Sequence, residues 1–173
     1  MKTNDGFPQP LLASKKPWNN NDNPIWLAST ISLLRNVEKF KSPGKLDVER
    51  KKQIITLISK ELLANTALDK PKLIKADEIG PIDKEFLIEH FLSQTNYGQA
   101  HQGEAFIIDE SGEFLTTLNI QDHLHLQAID CKGELETTWS RLVKIETQLG
   151  KAFNYSFQPK FGFLTADPTQ CGT

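Results

Sequence analysis

Ala105-Phe106-Ile107-Ile108, then Asp109-Glu110-Ser111-Gly112, then Phe114-Leu115-Thr116-Thr117-Leu118: two apolar runs flank a turn-forming tetrapeptide. That pattern predicts a β-hairpin. A third run follows at once. From Gln121 to Ala128 the residues alternate strictly, with Leu124, Leu126 and Ala128 on one side and Gln121, His123, His125 and Gln127 on the other. Side chains of a strand alternate between faces, so this is a strand with one apolar face. Three successive strands joined by short turns give an antiparallel sheet.

Helical spacing appears on both sides of this centre. Leu46 to Leu63 carries Ile54, Ile55, Ile58, Leu62 and Leu63 at helical intervals. Its charges Glu49, Arg50, Lys51 and Lys52 are expected on the solvent side. A second helix is predicted from Pro81, which suits a first turn, to about Ser93, with Phe86, Leu87 and His90 close together. A third runs from Gly133 to Leu149 through Leu135, Trp139 and Leu142, with Gly150 as its C-terminal cap and Trp26 and Trp139 in the core. Pro71 to Gly80 reads as a linker. Ile25 to Leu34 reads as a buried strand, and Phe161 to Ala166 as the last one. The fold class is α+β, with a mostly antiparallel sheet and packed helices. Residues 1–23, polar and rich in Pro and Asn, are expected to form a flexible arm ahead of a domain over 24–173.

Composition narrows the function. The chain has 173 residues, 24% charged and 38% hydrophobic, with a net charge of −2. These values fit one soluble domain and give no broad basic surface for nucleic acid. No apolar run approaches the roughly 18 residues of a membrane helix, and the N-terminus lacks the apolar stretch of a signal peptide. A cytoplasmic protein is therefore expected. Cys131 and Cys171 form no CxxC pair, so no disulfide is expected. His123 and His125 share a strand face, but no carboxylate on that face completes a metal site, so none is assigned.

Four segments, in order, resemble the ATP:guanido phosphotransferases. Ile25-Trp26-Leu27-Ala28-Ser29-Thr30-Ile31-Ser32-Leu33-Leu34-Arg35-Asn36 is similar to a strand written Ser-Ser/Thr-Arg-x-Arg-x-x-Arg-Asn. Glu89-His90-Phe91-Leu92 resembles a helix bearing a nucleotide-contacting histidine. Asn119-Ile120-Gln121-Asp122-His123-Leu124-His125 is similar to Asn-Glu-Glu-Asp-His-Leu-Arg. Phe161-Gly162-Phe163-Leu164-Thr165-Ala166-Asp167-Pro168-Thr169 resembles the loop of the reactive cysteine. Few residues precede the first motif, so the closer likeness is to the bacterial protein arginine kinases.

The resemblance implies transfer of the γ-phosphoryl group of Mg-ATP to a guanidinium nitrogen, a reaction governed by positioning and charge neutralisation. It implies arginine-bearing proteins, or a zinc-binding kinase activator, as partners. It places ATP contacts at Ala28, Ser29, Thr30, Ile31, Ser32, His90 and His125. It places a catalytic glutamate at Gln121 and the cysteine at Asp167. Three arginine positions are thereby filled by Thr30, Ser32 and His125. Asp122, His123, Leu124, Arg35, Asn36 and His90 match.

In the family the catalytic domain continues beyond the cysteine loop, so further arginines and a second glutamate would follow Thr173. An incomplete, degenerate guanido-kinase-like catalytic domain is expected, with low stability alone and self-association through an exposed sheet edge. Three alternatives stay open: a non-catalytic binding module for arginine-bearing proteins or a partner kinase, a weak kinase completed by another chain, and a truncated product without function.

Overall fold

The computed structural model describes residues 25–93 and 97–172. The expected arm over 1–23 lies outside the described residues. A five-stranded antiparallel sheet runs in the order β1-β5-β4-β3-β2. Its strands are β1 (Ser29–Arg35), β2 (Lys72–Lys75), β3 (Ala105–Ile108), β4 (Phe114–Leu118) and β5 (Leu124–Asp130). Three α-helices are described: α1 (Val48–Leu63), α2 (Pro81–His90) and α3 (Leu135–Ala152).

Local chemistry accounts for the central elements. The β3–β4 hairpin turns on Asp109, whose carboxylate accepts from Ser111 Oγ at 2.6 Å, and on Gly112 at φ 69°. The β4–β5 turn turns on Asn119 at φ 61°, a left-handed conformation that asparagine tolerates. Its side-chain amide donates to the carbonyls of Lys51 and Gly103, tying the turn to α1. Asp47 caps α1 by accepting from the Arg50 amide at 2.8 Å.

Apolar residues cover the two sheet faces unequally. On one face Leu33, Leu124 and Leu126 pack with Ile54, Ile58 and Leu62 of α1 and with Leu142, Ile145 and Leu149 of α3. On the other, Leu87 and Phe91 lie with Ile74, Phe106, Ile108, Leu115 and Ile129. That second cluster draws on β2, β3, β4 and the far end of β5, and β1 adds no residue to it. Among the described residues, no element covers the β1 part of that face.

Several expectations need correction. β1 starts at Ser29, is one of the two outer strands of the sheet and is only half buried. The supposed linker contains β2, whose Leu73 and Ile74 pair with Ile107 and Phe106; four residues between Pro71 and Gly80 were too short a run to stand out. Gly150 lies inside α3, and Phe153 ends that helix. A Cβ at Gly150 would come within 3.2 Å of the Tyr155 ring, so the glycine serves close packing. Trp139 is 45% exposed rather than core. Lys51 is buried, because it pairs with Glu104 at 2.8 Å.

The last strand is also different. Only Gly162–Phe163 (β7) is extended, and it pairs with Phe157–Gln158 (β6) in a separate two-stranded sheet. It is not an edge of the main sheet. Gln121 precedes β5 in the turn and is not part of the strand.

Candidate functional site

The β1–β5 register pairs Thr30 with Ile129, Ser32 with Gln127, and Leu34 with His125. Ile31 and Leu33 point to the core with α1 and α3, so Thr30, Ser32 and Leu34 point to the opposite face. His125 and Gln127 share that face. Thr30 and Ser32 are exposed and His125 is half-buried. The three positions where the resemblance puts arginines therefore converge on the open part of the sheet.

None of the three brings a cation. Burial holds the His125 imidazole below its ordinary value, against a smaller upward pull from Asp122. It is neutral at pH 7. Gln127 donates to the Phe91 carbonyl at 2.7 Å. The one nearby guanidinium, Arg35, lies on the other face: its Nε donates to Glu146 at 2.8 Å and its plane sits 3.6 Å from the Phe163 ring centre. These residues do not fit a triphosphate, which needs positive charge or clustered N–H donors. Nor do they fit a bound Mg ion: among the described residues no group of three His, Cys, Asp or Glu side chains could hold a metal.

Other residues named from the resemblance are distributed differently. Ile31 packs into the first core and Ala28 against the second. Ser29 Oγ accepts from the Trp26 indole at 3.1 Å. His90 is buried between Phe86 and Phe91, and its Nε2 donates to the Gly112 carbonyl at 2.9 Å, holding the β3–β4 turn. Cys131 is a half-buried thiol pushed up to about 11 by burial, which leaves it unreactive at neutral pH.

Asp167 is exposed. Its carboxylate accepts from the Thr169 amide at 2.9 Å and hydroxyl at 2.7 Å, and these bonds hold it below the usual aspartate range. It caps the 3-10 turn Pro168–Gln170. Gln121 is exposed too. Both flank one hydrogen bond: the Ala166 amide donates to Asp122 Oδ1 at 2.7 Å.

The matching residues form a buried polar seam that sequence reasoning did not anticipate. Asn36 donates to Asp122 and, at 3.0 Å, to the Leu164 carbonyl. Its side-chain oxygen accepts from the His123 amide at 2.9 Å. His123 Nδ1 accepts from the Val37 amide at 3.0 Å, so the proton sits on Nε2, which donates to the Lys41 carbonyl at 2.8 Å. Exposures are 5% for Arg35, 8% for Asn36, 2% for Asp122 and 0% for His123. The only early signal was that these residues matched motifs far apart in sequence; their mutual contact was not legible.

Comparison with known proteins identifies the family and the fold. Residues 53–173 match the ATP:guanido phosphotransferase C-terminal catalytic domain. Protein-arginine kinase of Chlamydia pneumoniae is 33% identical over 169 residues, covering 96% of this chain and 47% of that protein. Protein-arginine kinase of a Bacillus cereus strain is 30% identical over 162 residues, covering 91% and 46%. The chain spans about half the length of these curated relatives. A substrate-free duplicated taurocyamine kinase from Schistosoma mansoni superposes with a TM-score of 0.74 at 21% identity, over 94% of this chain and 24% of that one. Lombricine kinase superposes at 0.70 with 19% identity, over 84% and 44%. These two establish the shared fold. With the family match, they place this chain in the ATP:guanido phosphotransferase family.

Proposed function

We propose that this chain is a protein-arginine-kinase-like domain that keeps the family's architecture but does not catalyse phosphoryl transfer. One observation carries the reading. The positions that match the motifs, Arg35, Asn36, Asp122 and His123, are buried and hold the fold, while those that depart, Thr30, Ser32, Gln121 and Asp167, are exposed. His125, half-buried on the open face, departs as well. The scaffold is retained and the chemistry is replaced.

Magnitudes support silence. Charge-assisted hydrogen bonds contribute about 1.5–3 kcal/mol each, so three missing arginines remove about 5–9 kcal/mol. That is a factor of about 10⁴–10⁷ in rate. Gln121 keeps a glutamate's shape but cannot take a proton. ATP and Mg, the family's phosphoryl donor, find no charge complement on this face among the described residues. Incubation with labelled ATP and an arginine-rich protein should leave no acid-labile label on the acceptor. Labelling within about tenfold of an intact relative's rate overturns the reading.

A binding role is the second reading, favoured by β1 being an outer strand preceded by exposed Ile25 and Leu27. An outer strand edge can pair with another chain, here a second copy. Sedimentation of the chain at micromolar concentration tests it: a single monomeric species removes this reading. Two free cysteines support a reducing, cytoplasmic compartment. No helix among the described residues is long and apolar enough to cross a membrane.

A further inference from the structure

The loop after β1 and the start of α1 form an open groove of about 490 Å³, lined by Lys39, Phe40, Lys41, Lys45, Leu46, Asp47 and Arg50. Four of these side chains are cations and one is a carboxylate. The carboxylate, Asp47, already accepts from the Arg50 amide as the helix cap. Among the described residues no carboxylate pairs with Lys39, Lys41, Lys45 or Arg50. The Arg50 guanidinium reaches only the Gln53 amide oxygen, at 3.1 Å. Five surface lysines elsewhere meet a carboxylate, while among the described residues Lys60, Lys144, Lys151 and Lys160 lie apart from one another on the surface without one. Lys52 meets Glu49, Lys70 and Lys72 meet Glu110, Lys75 meets Glu78, and Lys132 meets Glu113, all within 3.2 Å.

The frame around these cations is fixed. His123 holds the Val37 amide and the Lys41 carbonyl, and the Phe40 ring stands edge-on to the His123 ring. Lys39 sits at φ 74°, a left-handed backbone that costs free energy in a lysine. The Lys45 and Leu46 amides donate back to Ser42 and Pro43, forming a 3-10 turn. Like charges gathered on a rigid concave frame repel one another until an anion joins them.

We propose that this groove binds a multivalent phosphate anion. It shares no residue with the open sheet face, and it does not depend on the reading of that face. Lysine and arginine suit phosphoryl oxygens through charge-assisted hydrogen bonds. Four separated cations favour a chain of phosphates over a single one.

The probes are tripolyphosphate and orthophosphate, measured by calorimetry and by the shift in melting temperature of the full chain. Tripolyphosphate should bind at least about tenfold more tightly than orthophosphate, and more weakly as salt rises. Lys41→Gln with Lys45→Gln should weaken it by at least about tenfold without lowering the ligand-free melting temperature, since both side chains are exposed and their mutual repulsion is relieved. Lys72→Gln with Lys75→Gln, on β2, should change nothing. ATP without Mg then distinguishes the source: displacement of tripolyphosphate supports a nucleotide, and its absence supports a free polyphosphate. The proposal is overturned if tripolyphosphate does not bind, if the Lys41/Lys45 variant binds as before, or if the β2 variant loses affinity equally.

Discussion

Asn36 and Asp122 lie 86 positions apart and join side chain to side chain where β1 ends, β5 begins and the C-terminal loop returns. Through them the Leu164 carbonyl and the Ala166 amide are fastened to the sheet. Asp122→Ala would leave two donors without their partner, one buried Asn36 N–H and the part-buried Ala166 N–H. The expected loss is about 2–4 kcal/mol. Urea denaturation measures it, and hydrogen exchange should show residues 164–171 opening first. A loss below about 1 kcal/mol would show that the seam does not hold the loop.

His123 and His125 make stability depend on pH. Burial lowers both folded-state values below 6.5, with Asp122 opposing in each case. The unfolded chain then binds protons more readily than the folded one as pH drops below about 6.5. Stability from this source is complete above that value and falls on acidification towards the lowered folded values. His123 adds a geometric reason: its Nδ1 accepts the Val37 amide proton, so a second proton there meets a donor. Urea midpoints should fall between pH 7.5 and 5.5, and more so than in His125→Gln. An imidazole of either residue titrating at or above about 6.5 by NMR would sink this account.

The legible and illegible parts of this fold divide by range. The β3–β4 hairpin, β5 and α1 are local patterns: Asp109 and Gly112 make a turn, Leu124, Leu126 and Ala128 alternate, and Ile54 to Leu62 repeat helically. β2 was missed because Leu73 and Ile74 are held by pairing with β3, not by a run of their own. Lys51 was placed in solvent because its partner Glu104 lies on another segment. Gly150 was read as a cap because its real cause, the Tyr155 ring, arrives from beyond the helix. The same limit applied to the site. Thr30, Ser32 and His125 were flagged by resemblance, but their sharing one face follows only from the β1–β5 register. Asp167 carried only the family's cysteine position; its carboxylate's bonds to Thr169 belong to the turn that an aspartate before a proline commonly makes.

Arg35 is expected to hold the C-terminal hairpin through its shape as well as its charge. Its guanidinium is planar, donates to Glu146 and the Leu34 carbonyl, and stacks on Phe163. Lysine keeps the charge and loses the stacking and the fork. Arg35→Lys should therefore cost about 1–3 kcal/mol, most of what Arg35→Ala costs. Faster exchange should appear at residues 157–163. If Arg35→Lys matches the parent in both stability and exchange, charge alone suffices and the stacking is incidental.

Thr30 and Ser32 test whether the open face can receive phosphate. Both are exposed and alternate on an outer strand, so two arginines there would share one face without entering either core. Thr30→Arg with Ser32→Arg should change stability by no more than about 0.5 kcal/mol. His125→Arg is different. That side chain is half-buried between the strand neighbours Leu34 and Thr117, so a guanidinium there loses hydration and is expected to cost about 1–3 kcal/mol. Binding of a fluorescent ATP analogue should be read in the Lys41→Gln and Lys45→Gln background, which removes the separate basic groove. There the two-arginine variant should bind at least about fivefold more tightly than its parent, since each added cation contributes a charge-assisted bond. Unfolding of that variant would show that β1 is covered, and unchanged affinity would show that this face does not present its residues to a nucleotide.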